Sequence, residues 1–233
     1  MVIEQNGHDP LSMNGGGALA LRVALSVNPL QAELWYRLAQ FDATTGNPRT
    51  AVAILREGLR HCSDQPDLLY LLANSLHHIG ELMEAIDTYR RCVTLAPHIV
   101  EAWIELPLAL LKAGRFEEAE LSARDATTIA PRVSEAHINL GTVLSRRHRY
   151  LEAMQHFDHA MALAPTDARA WNQAGLANLQ LGDNGKAVAL FERALALRAD
   201  YAIAHSNLAL AALYAPLAGS INYSIKTYSY EYF

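Results

Sequence analysis

Only two cysteines occur in the 233 residues, Cys62 and Cys92, and their spacing suits neither a metal site nor a redox pair. A disulfide scaffold is therefore excluded. Both read as buried structural thiols, which fits a reducing compartment. Charge of one sign is scarce as well. Nineteen Lys and Arg stand against 24 Asp and Glu, and the net charge of −5 argues against nucleic acid as the main partner. No apolar run is long enough to span a bilayer, since the stretch from Ala18 to Val27 is short and broken by Arg22. The N-terminus has no basic segment followed by a long apolar core, so a cytoplasmic protein without membrane insertion is expected. Phosphate-binding loop, dinucleotide glycine fingerprint, G-x-S-x-G and zincin motifs are all missing, and no Ser, His and acid set gathers in one segment. Neither an enzyme nor a cofactor or metal is expected.

Periodicity fills the space these absences leave. Five 34-residue blocks run without insertion or deletion: 32–65, 66–99, 100–133, 134–167 and 168–201. An alanine recurs at Ala51, Ala85, Ala119, Ala153 and Ala187. Trp35, Trp103 and Trp171 share one register with Leu69, His137 and His205; three residues on come Leu38, Leu72, Leu106, Leu140 and Leu208. A small residue follows at Ala39, Ala73, Gly141, Gly175 and Ala209, with Pro107 the exception. Tyr89, Phe157 and Phe191 take a bulky site in the second half of the block, and Cys92, Ala126, Ala160 and Ala194 a small one. Three-four spacing of these positions predicts two helices per block, each with one apolar stripe. Gly46, Gly80, Gly114 and Gly182 fall at the turn between them, where a left-handed backbone ends the first helix. His148 takes that position in one block, at a cost in strain. Pro29, Pro97, Pro131 and Pro165 lie just past the second helix, which they cannot continue.

This pattern resembles the tetratricopeptide repeat, whose W-x2-L-G-x2-Y, A-x3-F and P sites are met at the residues just named, over roughly 17–214. The resemblance implies an all-α fold: a right-handed α-solenoid of stacked antiparallel helix hairpins, each unit burying its apolar face only against its neighbours. Residues 17–31 read as an N-terminal half-repeat that caps the array, and 202–214 as the first helix of an incomplete sixth unit. Residues 1–16 are expected to be mobile, and 215–233 form a non-repeat tail rich in tyrosine. Two readings of that tail stand side by side: the sequence is a truncated or altered piece of a longer protein, or it ends in a short native tail.

In the family, first helices line a concave groove that takes extended peptides. Carried over by register, the groove comprises Tyr36, Arg37, Gln40, Tyr70 and Asn74, then Ile104, Glu105, Ile138, Asn139 and Thr142, then Asn172, Gln173, Ser206 and Asn207. Amides can donate to and accept from a peptide backbone. Tyrosine adds contact area at small entropic cost. The same residues also read simply as the polar stripe of each helix. The carboxylate clamp of chaperone-binding members is incomplete around Asn139, Arg169 and Gln173. Asn139 and Asn207 resemble part of the asparagine ladder in the repeat arrays of O-linked sugar transferases, with Asn172 one residue off register. A peptide- or protein-binding scaffold is the first expectation, the recognition arm of such a transferase the second, and a self-assembling array joined through its C-terminal end the third.

Other features read as structural. His156 and His159, three apart on one helix, lack further metal ligands nearby. The basic cluster Arg146, Arg147 and Arg149 reads as a solvated loop. Pro107 reads as a tolerated kink in its helix.

Overall fold

The computed structural model describes residues 15–214; the readings made of 1–14 and of the tail from 215 lie outside them. Twelve α-helices and no strand occur among the described residues. They are α1 (Gly15–Val27), α2 (Ala32–Thr44), α3 (Pro48–His61), α4 (Pro66–Ile79), α5 (Leu82–Leu95), α6 (Val100–Lys112), α7 (Phe116–Ile129), α8 (Ser134–Arg146), α9 (Tyr150–Leu163), α10 (Ala168–Gln180), α11 (Asn184–Leu197) and α12 (Ala202–Tyr214). The chain divides into two compact units between Pro165 and Thr166. In the first, the hairpins α2/α3, α4/α5, α6/α7 and α8/α9 stack in sequence, and α1 packs on α2. Even-numbered first helices touch one another along the stack, as do α2 and α4, α4 and α6, and α6 and α8. The second unit repeats the plan with α10/α11 and α12. The fold is an all-α solenoid of helix hairpins.

The hairpins α8/α9 and α10/α11 close by fitting a bulky side chain of the second helix over a small one of the first. Phe157 lies over Gly141 and Phe191 over Gly175, and a Cβ at either glycine would sit 2.5 Å from the ring. In α2/α3 the relation is reversed at the neighbouring site, where Trp35 of the first helix covers Gly58 of the second. The recurring alanines are fully buried at all five positions, because nothing larger fits where the two axes approach. The turns carry left-handed residues as the register predicts, with φ of +75° to +86° at the four glycines and 60° at His148. His148, which carries a Cβ, bears the larger strain.

The helices end where local chemistry tells them to. Pro29, Pro97, Pro131 and Pro165 lie two residues beyond α1, α5, α7 and α9. Pro48 and Pro66 open α3 and α4 at positions whose amides need no intrahelical acceptor. α6 runs unbroken through Pro107, which is buried and lacks the amide hydrogen that would reach the turn before it. α1 begins at Gly15, earlier than the period in the sequence suggests, so all three glycines at 15–17 are helical. Gly17, in the register of the recurring alanines, is buried there.

The tryptophan register has a polar function that the period alone does not reveal. Trp35 and Trp103 donate their indole N–H to the carbonyls of Pro29 and Pro97, at 2.8 and 3.1 Å. His137 and His205 put Nε2 3.1 and 2.9 Å from the carbonyls of Pro131 and Ala199, six residues back in each case. A carbonyl only accepts, so Nε2 of each ring carries a hydrogen and donates it. Histidine thus replaces tryptophan while keeping the one N–H that ties a helix to the connection before it.

Candidate peptide-binding face

The first helices present three columns of side chains at 34-residue intervals. In the first, Tyr36 and Tyr70 are half-buried, whereas Ile104, Ile138 and, in the second unit, Asn172 are buried. Ser206 is exposed and returns its hydroxyl to the carbonyl of Ala202. In the second column Arg37, Glu105, Gln173 and Asn207 are half-exposed, and Asn139 is buried. In the third, Gln40, Asn74 and Thr142 are half-exposed. Leu71 and Leu108 stand half-exposed in the second and third columns of the first unit. A groove drawn from polar residues omits them, although their register positions give them away.

Several of these polar groups already have partners. Asn139 donates its amide N–H to the carbonyl of Ile104, 2.9 Å away on the preceding first helix. In the second unit Asn207 donates to the side-chain oxygen of Asn172 at 2.9 Å. The donor and acceptor are 35 residues apart in both cases, so the asparagines link successive first helices. Asn74 accepts a hydrogen bond from the fully buried Tyr89 hydroxyl. Thr142 bonds back to the carbonyl of Ile138, and Arg37 pairs with Glu33 at 2.6 Å on the same helix.

The electrostatics of the α4–α6 stretch are acidic. Burial pushes the Tyr70 phenol above its usual range; a hydrogen bond from Asn74 opposes the shift, and the carboxylates of Glu105 and Glu101 add to it. Those two acids therefore act on the phenol through their charge. Tyr36 acts on Tyr70 in the same direction, which brings both tyrosines and both acids into one neighbourhood on α2, α4 and α6.

Of two clusters away from these columns, the arginine one differs from its sequence reading and the histidine one gains a partner. Arg147 and Arg149 do not form a solvated loop. Arg147 Nη1 and Arg149 Nη1 each lie 2.6 Å from the Glu120 carboxylate, which Arg124 also contacts. Glu120 is 7% exposed, and its three guanidinium partners outweigh the burial that would otherwise raise its pKa, holding it below the usual range. The turn between α8 and α9 is thereby pinned to α7. His156 and His159 share a side, as their spacing implies, and both face His137. The Nδ1 atoms of His137 and His156 are 3.3 Å apart, and the rings of His137 and His159 are 4.4 Å apart. Burial is the main cause that lowers the pKa of both His137 and His156. Among the described residues no three His, Cys, Asp or Glu side chains are placed to hold a metal ion. None of the described helices is long and apolar enough to cross a membrane.

Comparison with known proteins follows the same period. Family models described as tetratricopeptide repeat match residues 32–75, 66–99 and 132–200, together more than half of the chain. No curated protein matches in sequence. Among solved structures, the chain is similar to YrrB, described as a TPR protein with an unusual peptide-binding site. Identity is 20% over 80% of this chain and 96% of that one, with a TM-score of 0.62. A MamA fragment (41-end) from Desulfovibrio magneticus RS-1 is 22% identical over 73% of this chain and 97% of its own, with a TM-score of 0.64. TTC0263 from Thermus thermophilus, described as a thermophilic TPR protein, is 20% identical over 78% and 99%, with a TM-score of 0.66. Likeness at this level of identity establishes the fold.

Proposed function

Starting from a chain that belongs to the tetratricopeptide-repeat proteins, we propose that it is a non-catalytic scaffold. It takes an extended peptide, or the helix of a partner protein, against its first helices. The observation that carries this reading is the neighbourhood of Tyr36, Tyr70, Glu101 and Glu105 on three adjacent first helices. Backbone groups inside helices are already paired, so a ligand there meets side chains alone. The half-exposed Tyr36 and Tyr70 offer flat apolar area with a polar tip. Glu101 and Glu105 add negative charge, and the fitting ligand is an extended segment whose basic side chain lies opposite the exposed Glu101. Gln40, Asn74 and Thr142 complete the polar edge in the first unit, with Gln173 and Ser206 in the second. The peptide-binding site named for YrrB lends support by likeness of fold. The sugar-transferase reading rested on Asn139 and Asn207 as peptide-binding amides; both are engaged with the preceding helix, so we do not advance it.

The test is selection of binders from a library of extended peptides, followed by anisotropy titration with purified variants. Tyr70→Ala and Glu105→Arg should each weaken the selected peptide about tenfold or more, the loss of one good contact. Arg91→Ala, on the opposite side of its hairpin, should leave it unchanged. Selected peptides that bind Tyr70→Ala and Glu105→Arg as well as they bind the parent would remove the assignment.

A further inference from the structure

Exposed large hydrophobic side chains are not spread evenly along the solenoid. Of sixteen among the described residues, eight lie at its two ends: Leu19, Val23, Val27 and Leu30 in or just after α1, and Ile203, Leu210, Leu213 and Tyr214 in α12. Leu19, Val23 and Val27 are 65%, 57% and 82% exposed and fall at four-residue steps, one stripe of α1.

The repeat register tells which way that stripe faces. Between α1 and α3, a groove is lined by Thr50, Ala53, Ile54, Glu57 and His61 on α3 and by Arg22, Leu25 and Ser26 on α1. The next groove, between α3 and α5, is lined by Asp87, Thr88 and Arg91 on α5 and by Leu59 and Arg60 on α3. Those sides of α3 and α5 face the second helix of the preceding unit. Moved back by 34 residues, Ala53, Ile54, Glu57 and His61 become Leu19, Ala20, Val23 and Val27. The apolar stripe of α1 is thus the face that each later second helix turns toward the unit before it. In α3 and α5 this face carries Glu57, Asp87 and Arg91; in α1 it is apolar throughout.

At the other end, none of the described residues covers the hairpin face of α12, a first helix. His205, Ala209 and Ala212 are exposed, whereas the matching residues of α8, His137, Gly141 and Leu144, are buried under α9. The sequence that follows does not repeat the hairpin. Pro216 stands in the register of the five left-handed turn residues, none of which is a proline. Ile221 and Tyr228 stand in the registers of Ala187 and Ala194, which are wholly buried small sites.

The geometry points to a second copy of this chain as the occupant: α1 of one molecule packs on α11 and α12 of the next, head to tail. The contact continues the stacking already present inside each unit. α1 has the second-helix register, with Gly17, Leu21 and Ala24 at the sites of Ala187, Phe191 and Ala194. Leu21 would meet Ala209, the same pairing of leucine with alanine that Leu55 and Ala39 provide in α3 and α2. Glu192, Leu195 and Ala196 of α11 hold the register of Arg56, Leu59 and Arg60, so Leu195 and Ala196 would meet Leu19 and Val23 in a groove less charged than the internal one, with Glu192 at its edge. Two different faces are joined, so the contact is heterologous and adds molecules successively.

Sedimentation of the full 233-residue chain over a dilution series tests this, with Val23→Glu and Leu213→Glu as variants of exposed residues whose helicity is checked by circular dichroism. The mass of the parent should rise with concentration, and each variant alone should stay monomeric. Mixed in equal amounts, the variants should form a species of twice the monomer mass and nothing larger, because one intact pair of faces remains. A parent that stays monomeric, a variant that assembles like the parent, or a mixture without the dimer would each overturn the inference. So would a dimer lost in Leu213→Glu and kept in Val23→Glu, which would mean pairing of two α12 helices.

Discussion

Gly141→Ala puts the hairpin rule to a quantitative test. The new Cβ would lie 2.5, 2.8 and 2.9 Å from three atoms of the Phe157 ring, which is fully buried. Carbon atoms rest about 3.5–4.0 Å apart, so the ring has to retreat by about 1 Å into a close-packed site. Overpacking of this kind costs about 1–3 kcal/mol. Alanine in a helix interior returns up to about 1 kcal/mol over glycine, which leaves a net loss of about 1–2 kcal/mol. Phe157→Leu alone removes buried carbon and should cost about 1–2 kcal/mol through the space it leaves. Combined, the two changes recreate the Ala39 and Leu55 pair of α2/α3, both of which are fully buried. The double variant should therefore be more stable than the sum of the single losses by about 1 kcal/mol or more. Urea unfolding followed by circular dichroism measures all four corners of the cycle. Gly16→Ala serves as the control, since nothing lies within 4 Å of its added Cβ. Losses that add to within about 0.5 kcal/mol would refute the claim that the two residues are fitted to each other.

Glu120→Gln should lower stability by about 2 kcal/mol, less than for a fully buried pair because Arg124, Arg147 and Arg149 keep partial contact with water. Urea midpoints in low and high salt check this, and the difference between variant and parent should shrink as salt rises. Acidification should weaken the fold in two windows. His137 and His156 have lowered pKa values, so the folded state binds fewer protons than the unfolded chain; stability is complete above about pH 6.5 and falls as pH drops below it. His156→Gln should flatten that slope in thermal melts between about pH 7 and 5, whereas Glu120 contributes its own loss only below about pH 4.5, where its carboxylate takes up a proton. Burial pushes the Cys92 thiol up to about 11, and its sulfur lies 3.5 Å from the Pro66 carbonyl. A thiol reagent at about pH 8 should therefore label Cys92 only at the rate of unfolding, and fast labelling of the native chain would contradict its burial.

The helix pairs, their order and their buried stripes were all legible in the sequence. Helix formation and the choice of buried face depend on residues three, four and seven apart, and a 34-residue period repeats that local information in every unit. The alanine column, the left-handed turn positions and the prolines past the second helices all stand where the period puts them. Partners 19 to 35 residues apart were decided by the tertiary structure. Asn139 bonds Ile104, Arg147 and Arg149 converge on Glu120, and His137 meets His156 because packed helices bring these side chains to one height and one angle. A polar residue facing a groove and one tying two helices together have the same position in the repeat. Only the rotation of one helix against the next separates them, by a few ångströms of hydrogen-bond reach. The sequence by itself determined that this chain is a stack of hairpins and which side each helix buries. Tertiary contact decided which of the remaining polar groups are engaged with a neighbouring helix, because only packing sets their distance and angle.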